Sequence, residues 1–297
     1  MGQALADAFP ECRAVFDEAD AALGEPLSTI CFEGPEDRLR LTENTQPAIL
    51  TVSVAAARLL ASRGIVPAIA AGHSLGEYSA HVAAGTLTFV DAVSVVRRRG
   101  RYMQEAVPVG LGAMAAILGL DAATVARACA EAAEGEIVAP ANLNAPGQVV
   151  IAGTAAAVAR AGERAKALGA KRVVPLPVSA PFHCELMRPA QDRLAPELRA
   201  LTVRSPIVPV VANVDAEPKT DGQAAVEALV QQVAAPVRWE EVVRRLASAG
   251  VRAYVEVGPG AVLSGLVRKI DREARVATFG APSDLDTVER LVAEVTI

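Results

Sequence analysis

The hydrophobic positions of the chain follow two spacings, which predict helices and strands in alternation. Apolar residues from Leu5 to Leu23 recur at helical intervals and end at Gly24, and a second helical stretch begins at Pro47 and closes at Gly64. Short apolar runs that end in glycine predict buried strands instead. The further predicted elements are strands at 67–72, 205–214, 252–258 and 275–280, and helices at 75–85, 91–107, 222–233, 239–249, 261–270 and 284–295.

The pattern changes between residues 110 and 180. Asp121 and Thr154 are helix-capping residue types, and each precedes an apolar stretch of helical period. Strand-like runs stand before, between and after these two helices, and the middle run contains two strands joined by a loop. These runs lie at 112–120, 136–153 and 171–178, with the loop at 144–147. The order β-α-β-β-α-β predicts a ferredoxin-like unit.

Strands that alternate with helices on either side of this unit predict a mainly parallel sheet covered on both faces. The expected fold class is therefore α/β with an inserted small domain. The predicted large domain spans residues 1–109 and 181–297, and the predicted small domain spans residues 110–180.

Composition restricts the class of protein further. Of 297 residues, 52% are hydrophobic and 21% are charged, as in globular chains, and a net charge of −5 without a long basic run disfavours a nucleic-acid partner. The longest uncharged run, residues 137–159, holds prolines, asparagines and glycines, so we expect no membrane span. The first residues lack the basic and apolar regions of a signal peptide. Four scattered cysteines without a C-x-x-C pair predict free thiols in a reducing cytoplasm.

The stretch "AGHSLGEYSA" at 71–80 carries the strongest chemical signal. Gly72, Ser74 and Gly76 fit the G-x-S-x-G nucleophile elbow, in which a serine sits on a tight strand-to-helix turn. The glycines let neighbouring backbone pass, and the N–H of Leu75 at the helix start can stabilise an oxyanion. The alternative is an ordinary strand–helix turn. The predicted strand before Ser74 and helix after it favour the elbow.

A serine hydroxyl needs a base to become a nucleophile at neutral pH, and the chain has three histidines. His73 is adjacent to Ser74 and is expected to point away from the hydroxyl. His81 lies two turns along the helix and is expected to be structural. His183 lies where the small domain returns to the large one, and we favour it as the base. An ordinary esterase has its histidine late in the chain, but no histidine follows residue 183.

Five motifs taken together indicate a family: "GHSLGEYSA", "RRRGRYMQEA", "NLNAPGQVVIAG", "PLPVSAPFHCELM" and "YVEVGPG". In this order, and over nearly the whole chain, they resemble the malonyl-CoA:acyl carrier protein transacylases of bacterial fatty-acid synthesis. The acyltransferase domains of polyketide synthases are similar. The fold of that family is a hydrolase-like α/β domain with a ferredoxin-like insert, which agrees with the pattern above.

The resemblance implies roles for the matching residues. Ser74 would carry the malonyl group as an ester, and His183 would act as general base and then as general acid. Arg99 would bind the free carboxylate of the malonyl group. The backbone carbonyl of Gln232, in place of a carboxylate, would orient the histidine.

Three more positions match the family near the site. In the polyketide relatives, an aromatic residue at the position of Phe182 is associated with malonyl specificity. Its ring would clash with the α-methyl group of methylmalonyl, at a cost of about 1–3 kcal/mol in binding. Asn142 and Asn144 match a loop of the small domain near the cleft.

Chemistry supports Arg99 independently of the resemblance. A planar guanidinium can make two parallel charge-assisted bonds to a carboxylate, and acetyl offers no such anion. The alternative is that Arg97, Arg98, Arg99 and Arg101 form a solvated helix face. We prefer that alternative for Arg97 and Arg98, and the ligand role for Arg99.

The implied reaction uses malonyl-CoA as donor and the phosphopantetheine thiol of acyl carrier protein as acceptor. It needs no bound organic cofactor or metal, and the sequence shows no metal-ligand cluster. We expect a monomer. Because such carrier proteins are acidic, docking is expected to use local basic residues. The candidates are Arg97, Arg98, Lys171, Arg172, Arg268 and Lys269.

The family usually opens with a strand and a "PGQGSQ"-like loop whose glutamine supplies a second oxyanion N–H. This sequence begins at "MGQALADAFPE", which matches the residues just after that loop. Either the start methionine is misplaced or the segment is lacking. Loss of one oxyanion donor costs about 10²–10³ in rate, and loss of a strand exposes apolar surface, so we expect weak catalysis and marginal stability.

Other functions stay open at this level. A proofreading thioesterase would use the same residues but release the acyl group to water. A non-catalytic subunit that binds carrier protein would need no complete oxyanion site. The pathway served, fatty-acid or polyketide synthesis, is also open.

Overall fold

The computed structural model describes residues 1–178 and 180–295. Ser179, which belongs to the predicted small domain and to the motif before His183, lies outside the described residues, as do 296–297 of the predicted large domain. The described helices are α1 (Gln3–Ala8), α2 (Pro10–Leu23), α3 (Leu27–Glu33), α4 (Glu36–Arg40), α5 (Thr42–Ser62), α6 (Leu75–Ala83), α7 (Phe89–Glu105), α8 (Ala122–Ala132), α9 (Ala155–Ala167), α10 (Arg188–Arg199), α11 (Gly222–Gln232), α12 (Trp239–Ser248), α13 (Val262–Ile270) and α14 (Leu285–Val295). The strands are β1 (Ala70–Ala71), β2 (Gly112–Leu118), β3 (Val138–Ala145), β4 (Gln148–Thr154), β5 (Arg172–Pro175), β6 (Val210–Val211), β7 (Pro218–Lys219), β8 (Ala253–Val257) and β9 (Arg275–Phe279).

The predicted ferredoxin-like unit is confirmed. Strands β2 to β5 form an antiparallel sheet in the order β3-β4-β2-β5, and α8 and α9 contribute to the core on one face. Strand β2 shows why both faces of this sheet are apolar. Ala115 and Ile117 join the core with α8 and α9, whereas Met114 lies in the cluster on the other face with Cys184. The segment that leads into the site therefore packs directly on the small sheet.

The predicted α/β architecture is confirmed, although its parallel sheet consists of two short pieces. Strand β1 pairs in parallel with β6, which pairs antiparallel with β7, and β8 pairs in parallel with β9. Strands β1 and β6 are much shorter than the predicted 67–72 and 205–214. Pro67, Pro206 and Pro209 lack the N–H that a longer ladder would require.

Helix bounds near the start of the chain differ from the prediction. The first predicted helix is split into α1 and α2, because Pro10 opens a new helix after an extended residue. Helix α5 begins at Thr42 and contains Pro47, which was predicted to start it. The side-chain amide of Asn44 donates to the backbone carbonyl of Arg38, so a contact with the preceding segment holds the extra N-terminal turn.

Three further differences follow from local contacts. Helix α7 begins at Phe89, two residues before the predicted start, because the Thr88 hydroxyl accepts a hydrogen bond from the N–H of Asp91. Asn142 and Asn144 lie on strand β3, so their assignment to a loop is wrong; the turn consists of residues 146–147 alone. The pattern did not predict α3, α4, α10 or β7.

The main core joins the helices that carry the site. It contains buried side chains of α2, α5, α7, α10 and α11. Helices α5 and α7 pack closely at Gly100, where an added Cβ would lie 2.6 Å from the Cα of Glu43. The four cysteines are free, as predicted, and the structure shows that all four are buried.

Candidate active site

Ser74 lies on the sharp turn between β1 and α6. Its backbone has φ 51° and ψ −110°, a conformation that costs a non-glycine residue about 1–3 kcal/mol and that clusters at functional sites. The turn requires glycine at position 72, because a Cβ there would lie 1.9 Å from the carbonyl carbon of Gly76. A Cβ on Gly76 itself would meet open space. The two glycines of the motif are therefore not equivalent.

Asn213 holds this turn from the segment that follows strand β6. Its Oδ1 accepts a hydrogen bond from the N–H of Ser74 at 2.7 Å, and its Nδ2 donates to the carbonyl of Gly72 at 2.7 Å. Asn213 follows β6, and β6 runs parallel to β1, so the carboxyl ends of both strands meet at this point. Sequence analysis missed Asn213. A polar side chain near the end of the apolar run 205–214 was the available signal.

The structure brings His183 into contact with Ser74. The imidazole Nε2 lies 2.7 Å from Ser74 Oγ, and Nδ1 lies 3.0 Å from the backbone carbonyl of Gln232. Because a carbonyl only accepts hydrogen bonds, Nδ1 carries the hydrogen and the Nε2 lone pair faces the hydroxyl. His183 has φ 61°, so its backbone is strained as well. Burial, together with the nearby charge of Arg99, lowers the pKa of His183 to about 3 and keeps the ring neutral at pH 7.

Arg99 lies on α7 with its side chain buried at 1% exposure. Its Nη2 donates to Ser74 Oγ at 3.1 Å and to Gln232 Oε1 at 2.9 Å, and its Nη1 donates to Gln46 Oε1 at 2.7 Å. The guanidinium also lies 5.5 Å from the ring centroid of Tyr78. Burial lowers the pKa of Arg99. Two neutral amide oxygens thus hold the cation, and a substrate anion would be the better partner.

The neighbouring arginines differ from one another. Arg97 is buried, pairs with Glu25 and donates to the side-chain oxygen of Asn44, so the prediction that it lies on a solvated face is wrong. Arg98 is partly exposed and pairs with Glu197. Arg97 supports the packing of α7 and is not available as a docking residue.

Glu77 is a fully buried carboxylate close to the serine. Its Oε2 accepts from the N–H of Asn213 at 2.9 Å and from Nε2 of Gln232 at 2.8 Å. Burial raises its pKa to about 7, against these hydrogen bonds and the charge of Arg99. Ser74 and Glu77 have the spacing of a helix capping box, yet Ser74 Oγ makes no cap bond and faces His183. That spacing could have drawn attention to Glu77, which sequence analysis did not select.

The remaining predicted residues surround this center. His73 Nε2 lies 2.9 Å from Oδ1 of Asn144, and its ring lies 5.6 Å from that of Trp239. Asn142 is buried where β3 forms a parallel bridge to Val237. These contacts join the small sheet to the elbow, and they direct His73 away from the hydroxyl, as predicted.

Three other residues occupy different surroundings. His81 is buried and its Nδ1 lies 3.2 Å from the Thr86 hydroxyl, a structural environment. Phe182 is half-buried and packs between the main core and the cluster on the small sheet. Leu75 is the first residue of α6, and the N–H at that position has no acceptor within its own helix.

Among residues 1–178 and 180–295, no three or more histidine, cysteine, aspartate or glutamate side chains are grouped so that they could hold a metal ion. None of the helices found there is long and apolar enough to cross a membrane.

Comparison with known proteins gives consistent matches along the whole length. The malonyl CoA-acyl carrier protein transacylase of Escherichia coli (strain K12) is 52% identical over 280 residues, which cover 94% of this chain and 91% of that protein. The solved transacylase of Coxiella burnetii superimposes with a TM-score of 0.95 at 43% identity, covering 98% of this chain and 93% of the other. A malonyl-transacylase solved in complex with its type II polyketide acyl carrier protein has a TM-score of 0.94 and 48% identity, covering 97% and 93%. Because the acyl transferase domain family also matches residues 1–281, this chain belongs to that family.

Proposed function

We propose that the chain transfers the malonyl group of malonyl-CoA to the phosphopantetheine thiol of acyl carrier protein in fatty-acid biosynthesis. It is an acyltransferase, an acyl-carrier-protein S-malonyltransferase, like the relatives with which it shares about half of its residues. One observation carries the proposal for the site: Ser74 Oγ lies 2.7 Å from His183 Nε2 and 3.1 Å from Arg99 Nη2. A base and an anion-binding group thus meet at one hydroxyl.

In the first half-reaction the serine becomes acylated. His183 Nε2 takes the proton of Ser74 as Oγ attacks the thioester carbonyl, and the bond between Oγ and carbon forms. The N–H of Leu75 would stabilise the oxyanion. The carbon–sulfur bond then breaks, and His183 gives its proton to the departing thiolate of coenzyme A. The Gln232 carbonyl stabilises the transient imidazolium, because it accepts the hydrogen bond of Nδ1.

In the second half-reaction the same groups act in reverse. His183 takes the proton of the phosphopantetheine thiol, whose sulfur attacks the malonyl ester. The ester bond to Oγ breaks, and the proton returns to Ser74. No bound cofactor takes part in these steps.

Arg99 would select the substrate. In the absence of substrate, the buried guanidinium of Arg99 donates to the amide oxygens of Gln46 and Gln232. A bound malonyl carboxylate would accept two charge-assisted hydrogen bonds from it. Phe182 would disfavour an α-methyl group on the acyl chain, and Asn142 and Asn144 would support the same site from the small sheet.

The acceptor and the organisation of the chain are also proposals. The complex of the 48% identical malonyl-transacylase supports an acyl carrier protein as partner, and it keeps a polyketide pathway as the second candidate. Docking would use exposed basic residues, and the candidates that remain are Arg98, Lys171, Arg172, Arg268 and Lys269. The chain would act as a monomer, with residues 1–109 and 181–297 as the large domain and residues 110–180 as the small one.

Mass spectrometry of the protein mixed with malonyl-CoA tests the proposal. We expect a malonyl adduct on the peptide that contains Ser74, none in Ser74→Ala, and loss of the adduct when carrier protein is added. Rapid loss of the adduct to water without carrier protein would indicate a thioesterase. Absence of any adduct in the native sequence would indicate a binding subunit.

A further inference from the structure

We infer that Glu77 is a positioning residue: its carboxylate fixes the side chain of Gln232, which in turn holds both Arg99 and the segment that orients His183. This inference rests on the roles proposed above for Arg99 and His183. Glu77 does not touch the serine hydroxyl, so its effect would pass through Gln232.

The hydrogen bonds around Gln232 admit only one orientation of its amide. Nε2 donates to Oε2 of Glu77 at 2.8 Å and to the carbonyl of Ser74 at 2.9 Å, and both of these atoms only accept. Oε1 accepts from Nη2 of Arg99, which only donates. A rotated amide would place its NH₂ against the guanidinium and its oxygen against the carboxylate. Oε2 of Glu77 already accepts from the backbone N–H of Asn213 and faces Nε2 of Gln232 as a second donor, and we infer that this contact decides the orientation.

Gln232 therefore contacts both of the side chains proposed to act on the substrate, Arg99 and His183. The side chain of Gln232 sets the direction of Nη2 of Arg99, and its backbone carbonyl accepts the Nδ1 hydrogen of His183. Asn213, which clamps the elbow through its side chain, also donates its backbone N–H to Oε2 of Glu77. A single carboxylate oxygen thus binds the segment after β6 and the end of α11.

The hydrogen bonds of Glu77 indicate a role beyond packing. A glutamate on a helix of this kind could be replaced by an apolar residue of similar size if packing were its only role. Its second oxygen, Oε1, has no hydrogen-bond partner in the described part of the chain. Hydrogen bonding is therefore incomplete at Glu77, and the oxygen with two donors is the one that contacts Gln232 and Asn213.

The test compares Glu77→Gln, which keeps an acceptor oxygen, with Glu77→Met, which removes it at similar volume. Acylation of Ser74 is measured with malonyl-CoA and with acetyl-CoA. We expect Glu77→Gln to stay within about threefold of the native sequence. Glu77→Met should lose about 10–100-fold in malonyl transfer, with a fall in the malonyl-to-acetyl ratio, because small displacements of positioning groups have effects of this size. Thr86→Val, three residues beyond the C-terminal end of α6, is the matched control and should leave the ratio unchanged.

Crystal structures of both variants give a readout that does not depend on turnover. The contact between Gln232 Oε1 and Arg99 Nη2 should persist in Glu77→Gln and be lost in Glu77→Met. An unchanged Gln232 in Glu77→Met, an unchanged malonyl-to-acetyl ratio in that variant, or equal losses in both variants would overturn the inference. If the native sequence forms no malonyl adduct while Gln232 still moves in Glu77→Met, the proposed function fails and the positioning contact stands.

Discussion

The small sheet and the surroundings of Ser74 are built in opposite ways. Strands β2, β3, β4 and β5 pair over ladders of four to seven residue pairs, with register shifts in β3, and their apolar side chains alternate between two covered faces. Around Ser74 the strands have two residues each, and the contacts are a polar cluster of Gln46, Glu77, Arg99, Asn213 and Gln232. The small sheet stabilises the fold by burying apolar area, whereas the polar cluster holds strained and charged groups around Ser74 in a fixed geometry.

This difference separates the effects of mutation. Loss of apolar volume in the small sheet should reduce stability and leave the chemistry of folded molecules intact. A change in the polar cluster should alter chemistry first, because its groups make charge-assisted and directional bonds rather than bury much apolar area. Four predictions test whether the two regions separate in this way.

The largest effect is expected at Gly72, where the two glycines of the elbow provide a matched pair. Gly72→Ala should destabilise the protein by more than about 4 kcal/mol and abolish acylation, because its Cβ would overlap the backbone of Gly76. Gly76→Ala should keep or raise stability, by up to about 1 kcal/mol, because its Cβ has open space in a helix. Urea unfolding measures both. Similar destabilisation by the two variants would contradict the described elbow geometry.

The second prediction concerns the core of the small sheet. Ile151→Ala should lower the free energy of unfolding by about 2–5 kcal/mol, because Ile151 is fully buried beneath α8 and α9. Acylation of Ser74 per folded molecule should stay within about twofold. Arg127→Ala, exposed on α8, is the control and should change stability by less than about 0.5 kcal/mol. A large loss of acylation in folded Ile151→Ala would show that the two regions are coupled.

The third prediction concerns Arg99. Arg99→Lys keeps a charge but cannot bond Gln46, Gln232 and a carboxylate together, so the preference for malonyl-CoA over acetyl-CoA should fall about 10–100-fold. Competition between the two thioesters for Ser74, followed by mass spectrometry, measures the ratio. Arg98→Lys on the same helix should leave it unchanged. An unaltered preference in Arg99→Lys would remove the proposed carboxylate role.

The fourth prediction concerns the pH dependence of stability, to which buried side chains of helix α6 contribute. Burial lowers the pKa of His81 to about 4. The contribution of neutral His81 to the free energy of unfolding is therefore complete above the ordinary histidine pKa of about 6.5 and is lost as pH falls toward 4. Glu77 acts in the opposite direction, because its pKa is raised to about 7 and its protonation favours the folded state as pH falls. His81→Asn should reduce the loss of stability between pH 7 and 4.5 by about 2–3 kcal/mol. Equal losses in both proteins would contradict the buried, neutral state of His81.

Local pattern was sufficient for much of the fold. The strand-like runs at 112–120, 136–153 and 171–178, with capping residues at Asp121 and Thr154, predicted the small sheet and its two helices. The elbow motif with a preceding apolar run predicted the turn at Ser74. The pattern was less informative where prolines shortened β1 and β6, and where Asn44 and Arg38 extended α5 past Pro47.

The sequence by itself determined that a serine on a tight turn, one suitable histidine and one arginine form a set, because residue type and motif limit each choice to few positions. Only the tertiary structure decided how these groups are held. Asn213 reaches Ser74 across 139 residues of chain, Gln46 reaches Arg99 across 53, and Gln232 reaches Arg99 across 133. The partner of a buried polar side chain cannot be read from the periodicity of the sequence. The roles of Glu77 and Asn213 are therefore visible only in the folded protein, where packing excludes water and the two residues become hydrogen-bond partners.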